Sequence, residues 1–422
     1  NIVLSLTRVM NILKSYKSNY SMIACKFFLV IYLLLSFQVL GVVGYFTSNA
    51  KTRTAFAAIK ATGVVVTWGD PDNGGNSSGL DLTNAVSIAS TETAFAVIKS
   101  DGSVVTWGNP DNGGDSSGKD LTNVVSISST SEAFAAVKAD GSIVTWGQTA
   151  HGGDVGSTDL TGGVAEISST QHAFAVIKSG GSVVTWGDSD NGGNSSGLDL
   201  TNVVSISSTE TAFAAIKTDG SVVTWGNPDN GGNSIADSLT GDVVSISSTA
   251  KAFVAIKSDG STVVWGDASH GGSPSTAVAA QLTSGVISIS STDAAFAALK
   301  ADGSVVTWKI ATDTSTETTS LTAVTSVAST QAAFAAMKLD GSVFCWGDSS
   351  SGGDCGSSVV TNLTDVSSIS STDSAFAAVK HSGAVVTWGN SANGGSTGSS
   401  ADSLTSGVVS ISANANAFAA FK

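Results

Sequence analysis

Nine times along the chain a phenylalanine is followed twelve residues later by a tryptophan. The tryptophans are Trp68, Trp107, Trp146, Trp186, Trp225, Trp265, Trp308, Trp346 and Trp388, spaced 38 to 43 residues apart, and a further phenylalanine, Phe418, has no tryptophan after it. A period of this length means one supersecondary unit written over and over. Such a unit has too little apolar surface to fold alone, so it must be covered by its neighbours in a stacked or circular array.

Within one period the strands can be read directly. "AFAVIK" (Ala94–Lys99) is short and apolar, Asp101-Gly102 marks a tight turn, and "VVTWG" (Val104–Gly108) is β-branched and aromatic. Two such runs around Asp-Gly form a strong hairpin signal. A glycine-rich loop follows, then "VVSISST" (Val124–Thr130) supplies a third strand leading into the next "AFAAVK". The order is a meander. Composition agrees, since charged residues are 12 %, proline is only 4 of 422, and valine, threonine and aromatics recur where helix formers are scarce. Ala94, Ala96 and Ile98 point one way along their strand while Phe95 and Val97 point the other. A sheet apolar on both faces has to be covered on both. Alternating hydroxyls at Ser126, Ser128 and Thr130 would also suit a β-solenoid, but tight hairpins make neighbouring strands antiparallel, and solenoid coils stack in parallel.

The stretch "AFAVIKSDGSVVTWGNPDNGG" resembles the repeat of the regulator-of-chromosome-condensation family. Asp101, Gly102, Val104, Trp107, Gly108 and Gly113 sit at that family's motif offsets, and its Ala-Leu pair falls on Val97-Ile98, Ala58-Ile59 and Ala136-Val137. The resemblance covers about residues 51–422 and implies a β-propeller with about one blade per repeat. There are departures: Pro110 stands at the family's Asn position, Gly114-Asp115-Ser116 replaces Gln-Leu-Gly, and the units are shorter and more numerous. The seventh, "WKIATDTSTETTSLTAV", lacks both Trp-Gly and the glycine loop. The expected fold class is all-β, a β-propeller-like ring of nine repeats with antiparallel blades, and a truncated second ring is the rival. The last unit, "NAFAAFK", stops before its Asp-Gly turn, so the repeat domain at 51–422 is expected to be cut short at its C-terminal end. Each tryptophan is expected to close a blade against its neighbour; a ring of carbohydrate-stacking tryptophans is the functional alternative.

Residues 1–50 are different material. Arg8, Lys14, Lys17 and Lys26 are their only charges, and an apolar run extends from Phe27 to Phe46 ahead of Ser48 and Ala50. This reads as a signal peptide cleaved after Ala50, or as a membrane anchor through residues 27–46 if it is retained. Either way the repeats are expected to be secreted or displayed on the cell surface. Removing the leader leaves 15 basic and 33 acidic residues in 51–422, a net charge of −18. That balance argues against a nucleic-acid partner, which calls for basic patches.

The search for chemistry returns little. His151 and His270 share a loop position that most units give to Asn, and His172 and His381 stand elsewhere; with no accompanying cysteine pattern, all read as turn residues and no metal is assigned. "DPDNGGNSS" (Asp70–Ser78) is oxygen-rich like a calcium loop, but lacks the bidentate Glu such a loop carries, and Asn-Gly turn chemistry accounts for it. No catalytic motif and no cofactor are assigned. Cys345 and Cys355 fall in one unit at places where aligned units carry Thr106 and Ser116, which points to a disulfide in an exported protein. Asn76, Asn194 and Asn362 head Asn-x-Ser/Thr sequons suited to glycosylation.

These readings favour an exported, non-enzymatic binding or scaffold protein that offers repeated loops to a protein or glycan partner. Two alternatives are a guanine-nucleotide-exchange or chromatin-type regulator, which the family resemblance implies, and a propeller-based hydrolase, whose carboxylates should be unique to one unit. The export reading is directly testable. A reporter fused behind residues 10–60 is expected to enter the secretory route, and its accumulation in the cytosol would contradict the leader.

Overall fold

Each period of the sequence becomes one three-stranded antiparallel sheet. The computed structural model describes residues 46–60, 62–156, 160, 163–233, 239–308, 321–356, 359, 362–413 and 417–422, which hold nine such sheets and a final two-stranded one. In the second unit the strands are Ala85–Ser90, Ala94–Lys99 and Val104–Gly108, in that order across the sheet; we call them the serine, middle and tryptophan strands. The hairpin turn forms where Asp-Gly predicts it. Gly102 donates its N–H to Lys99 O at 2.9 Å, and Asp101 Oδ1 accepts from the N–H and hydroxyl of Ser103 at 2.9 and 2.6 Å.

The first sheet begins with a strand at Phe46–Lys51 that pairs with Ala55–Lys60. The boundary expected at residue 50 therefore runs through its first strand. The leader's apolar run up to residue 45 lies outside the described residues. Among the described residues no helix is long and apolar enough to cross a membrane.

Both faces of each middle strand are covered, by different neighbours. Phe95 and Val97 pack with Trp107 against Ala55, Ala57 and Ile59 of the preceding unit. Ala94, Ala96 and Ile98 pack against Phe134, Ala136 and Trp146 of the following one. The alanines leave room for the aromatic face of the next sheet to come close, and the core is a chain of such interfaces rather than one central cluster.

Seven interfaces are closed by an interlock between the tryptophan strand and the loop of the unit before it. Trp107 Nε1 donates to Gly74 O at 2.9 Å, Trp146 to Gly113 O at 3.0 Å and Trp186 to Gly152 O at 3.0 Å. The same bond joins Trp225 to Gly192, Trp265 to Gly231, Trp308 to Gly271 and Trp388 to Gly352. The accepting residue has to be glycine. At Gly113 φ is +99°, and a Cβ would stand 2.5 Å from Cδ2 of Phe134, the ring stacked on Trp146.

The two exceptions have a common cause. Trp68 belongs to the first described unit and is 48 % exposed. Trp346 follows the seventh unit, whose sequence has lost the glycine loop, and its buried Nε1 has no hydrogen-bond partner among the described residues. The tryptophan side chains are buried from Trp107 to Trp388, as packing against a neighbouring blade requires, and the sugar-stacking alternative loses its exposed rings there.

A second, axial contact joins the units through their backbones. The turn between serine and middle strands projects one residue per unit, and each donates its N–H to the carbonyl of its successor. Arg53 bonds to Glu92 at 2.7 Å, Glu92 to Ser131 at 2.8 Å, and the series continues through Gln171, Glu210, Ala250, Asp293 and Gln331 to Asp373. Serine hydroxyls reinforce it, as Ser129 Oγ donates to Ser90 O and Ser169 Oγ to Ser129 O, both at 2.8 Å. No strand of the first sheet pairs with a strand of the last among the described residues, so the architecture is an all-β array of propeller-like blades in which no closed ring is seen.

Trp186 is 3 % exposed and makes the full interlock. Trp186→Ala is expected to lower stability by about 3–5 kcal/mol in denaturant titration; an unchanged midpoint would contradict the packing role.

Candidate functional site

Three surfaces arise from this repetition: the axial turns, the outer loops, and one interface that departs from the rest. The axial turns of all nine units border a cavity of about 830 Å³. Its wall carries hydroxyls such as Thr91, Thr130 and Thr170, together with Arg53, Glu92, Glu210, Asp293 and Asp373. Arg53 pairs with Glu92 at 2.7 Å. Partial withdrawal from bulk water, and then the charges of Glu210 and Asp373, push the Asp293 carboxyl above its ordinary pKa.

The outer loops are stiffer than their glycine content suggests. After eight of the nine tryptophan strands a short 3₁₀ turn follows among the described residues, capped in the first unit by Asp70, whose Oδ1 accepts from Asp72 N–H at 3.0 Å and whose Oδ2 accepts from Asn73 at 2.8 Å. The carboxylate of the calcium-like loop is thus engaged in holding the turn. Farther along, the loop aspartate is tied to the middle strand of the next unit: Lys99 to Asp81 at 2.7 Å, Lys138 to Asp120 at 2.6 Å and Lys217 to Asp199 at 2.7 Å. The lysine hydrogen bond, then the threonine hydroxyl two residues on, bring the Asp120 and Asp199 carboxyls down to about 2.

The sequon residues Asn76, Asn194 and Asn362 are all exposed. Cys345 and Cys355 are joined in a disulfide, with Cα atoms 5.8 Å apart. At the same places other units hold a hydroxyl pair, Thr67 with Ser77 at 2.9 Å and Thr106 with Ser116 at 3.0 Å, so the disulfide replaces a hydrogen bond across the same loop.

His381 is an exposed turn residue as expected, but the other histidines behave differently. In most units the loop Asn bonds the residue just before the middle strand, as Asn112 Nδ2 does to Thr93 Oγ1 at 3.0 Å. In the third unit these two are His151 and Glu132, with Nδ1 2.6 Å from Oε2. In the fourth the strand-preceding residue is His172, whose ring stacks on His151 with centroids 3.9 Å apart. Asp188 completes the group: ligand-type atoms of His151, His172 and Asp188 lie within 4.8 Å of one another, all half-buried. Burial, then the neighbouring His151, lowers the pKa of His172. The other loop histidine, His270, faces a unit that has Ala294 where His172 stands, and bonds instead to Ser269 Oγ at 2.8 Å. The sequence did contain a signal for the cluster: aligned by unit, His151 and His172 are substitutions for Asn and Thr that fall on one interface.

No protein-family model matches the chain, and no curated protein matches its sequence. Solved structures that align with it include yeast RCC1 (Prp20) bound to Kap60, at 15 % identity over 54 % of this chain and 70 % of that one, with a TM-score of 0.35. The ectodomain of the Arabidopsis thaliana receptor kinase ACR4 aligns at 14 % identity over 64 % of this chain and all of that one, TM-score 0.36. The computationally designed protein Ika8 aligns at 13 % identity over 83 % of this chain and 98 % of that one, TM-score 0.35.

The loop aspartates give a pH prediction. A carboxyl held below its ordinary value of 3.8 adds stability above that pH and loses it as the pH falls toward about 2. Replacing Asp120 and Asp199 by Asn is expected to flatten the fall in Tm between pH 4 and pH 2, an effect that shrinks in high salt because the pairs are exposed. An identical acid profile for variant and parent would contradict it.

Proposed function

We propose that this protein is an exported, non-enzymatic scaffold whose array of blades binds a protein partner. The observation that carries this reading is a row of exposed β-branched side chains. The second residue of the serine strand is Val86, Val125, Val204, Val244 and Ile287 in the second, third, fifth, sixth and seventh units, each 52–61 % exposed, and Val409 stands just ahead of the last such strand at 76 %. Most other apolar positions of the repeat are used in packing against a neighbour, while these are left to solvent at one register position. Repeated exposed apolar residues at fixed spacing suit a protein surface.

A glycan partner has less support, because the aromatic side chains that would stack on sugars are taken up by the interlocks. The acidic axial wall and the charge of −18 on residues 51–422 favour the scaffold over a chromatin-type or nucleotide-exchange role. The hydrolase alternative has one feature in its favour, the raised Asp293 beside two further carboxylates.

The test is a comparison at the cell surface. Chemical cross-linking around the parent protein and a Val125→Thr, Val204→Thr, Val244→Thr variant is expected to give a discrete protein adduct with the parent that the variant loses at unchanged Tm. The same adducts from both proteins would overturn the docking role of the row.

A further inference from the structure

We infer that His151, His172 and Asp188 bind a divalent transition-metal ion of the zinc type, clamping the third unit to the fourth. Imidazole and carboxylate are the donors such ions take, and three protein ligands leave a fourth position for water or a partner's group. The donor atoms are already within 4.8 Å of one another. Tetrahedral donors at zinc–nitrogen bond lengths lie about 3.3 Å apart, so the site closes by at most about 1.5 Å, a movement that rotation of the two stacked rings supplies.

The surroundings are arranged as metal sites are. Glu132 Oε2 stands 2.6 Å from His151 Nδ1, which orients that ring and leaves Nε2 as the nitrogen to ligate. A carboxylate behind a ligating histidine is the usual outer partner in such sites. The Asp188 backbone N–H donates to His172 O at 3.0 Å, and Asp188 Oδ1 accepts from Asp190 N–H at 2.8 Å, so aspartate and histidine are held together by main chain. Asn191 Nδ2 lies 3.5 Å from His172 Nδ1 on the far side of the same turn.

Contrast within the array makes the case specific. The loop histidine His270 has its own cap aspartate, Asp267, 3.5 Å away, but the following unit presents Ala294. That interface offers two donors and not three. His151, His172 and Glu132 all depart from the Asn and Thr of sibling units, and they meet at one junction. A metal there would act as a staple between blades, and the open position makes it a point where a partner's side chain can be captured.

The experiment uses the full chain, stripped of metal, titrated with Zn²⁺ by calorimetry and with Co²⁺ by visible absorption. One equivalent of either ion is expected to bind, with a rise in Tm. His151→Asn and His172→Thr install the residues of neighbouring units, so the fold is kept, and each is expected to weaken binding at least 100-fold. Glu132→Gln should cost 10–100-fold, and His270→Asn should cost nothing. Failure to bind a stoichiometric ion would overturn the site, as would binding unchanged in the His151 and His172 variants or lost equally in the His270 variant. Retention of normal Tm by the metal-free variants separates loss of the site from loss of the fold.

Discussion

An indole N–H crossing from one unit to a glycine carbonyl of the unit before it is the contact on which the array depends. It combines a buried hydrogen bond with a stacked aromatic pair, and both require the loop backbone to come within van der Waals reach of the rings. Glycine at positive φ permits that approach, and any side chain there would enter the phenylalanine ring. The bond is between units and never within one, so a single period has no means of satisfying its own tryptophan. Stability of such an assembly is a sum over interfaces, and a fault in one is local. The junction into the eighth unit is that fault: the seventh unit's sequence lacks the loop, and Trp346 Nε1 is left buried without a partner among the described residues. An unsatisfied buried donor costs about 1–3 kcal/mol. The disulfide lies in that same eighth unit, where closing a loop of this length contributes roughly 2–3 kcal/mol.

The middle strand explains how nearly identical units tile. Phenylalanine and valine face backward, alanine and isoleucine face forward, and a large face always meets a small one. The axial turns need no such matching. They are joined by backbone N–H and carbonyl groups, so the side chains there are free to vary, from Arg53 through Ser131 to Asp373. That freedom lets the axial wall become acidic without disturbing the fold, and it lets single interfaces acquire special chemistry. Where the third and fourth units meet, two histidines and two carboxylates have gathered at the point where other units use Asn and Thr.

The strands, their order and the Asp-Gly turns were legible in the sequence because each is set by residues a few positions apart. The need to cover both sheet faces was legible too, since Phe95 and Ala96 point opposite ways on one strand. The partner of the tryptophan was only half legible. Each tryptophan was expected to close a blade against its neighbour, but its acceptor was not named: Trp146 is seated by Gly113, in the loop of the unit before it. The axial backbone ladder left no trace, because a bond between peptide groups places no demand on residue type. The histidine cluster was missed because His151 and His172 are separated in sequence and belong to different units; only the register of one blade on the next brings the rings together. The Cys345–Cys355 pair was easier, since both residues lie in one unit, ten positions apart.

Exchange of the nine indole N–H protons with solvent, followed by NMR on the native protein, addresses the interlock most directly. The account predicts slow exchange for the seven tryptophans bonded to a preceding glycine. Trp68 and Trp346 should exchange fastest, the first through exposure and the second because its Nε1 has no acceptor among the described residues. Uniform exchange across all nine, or a Trp346 proton as protected as that of Trp186, would contradict an array held together by this bond.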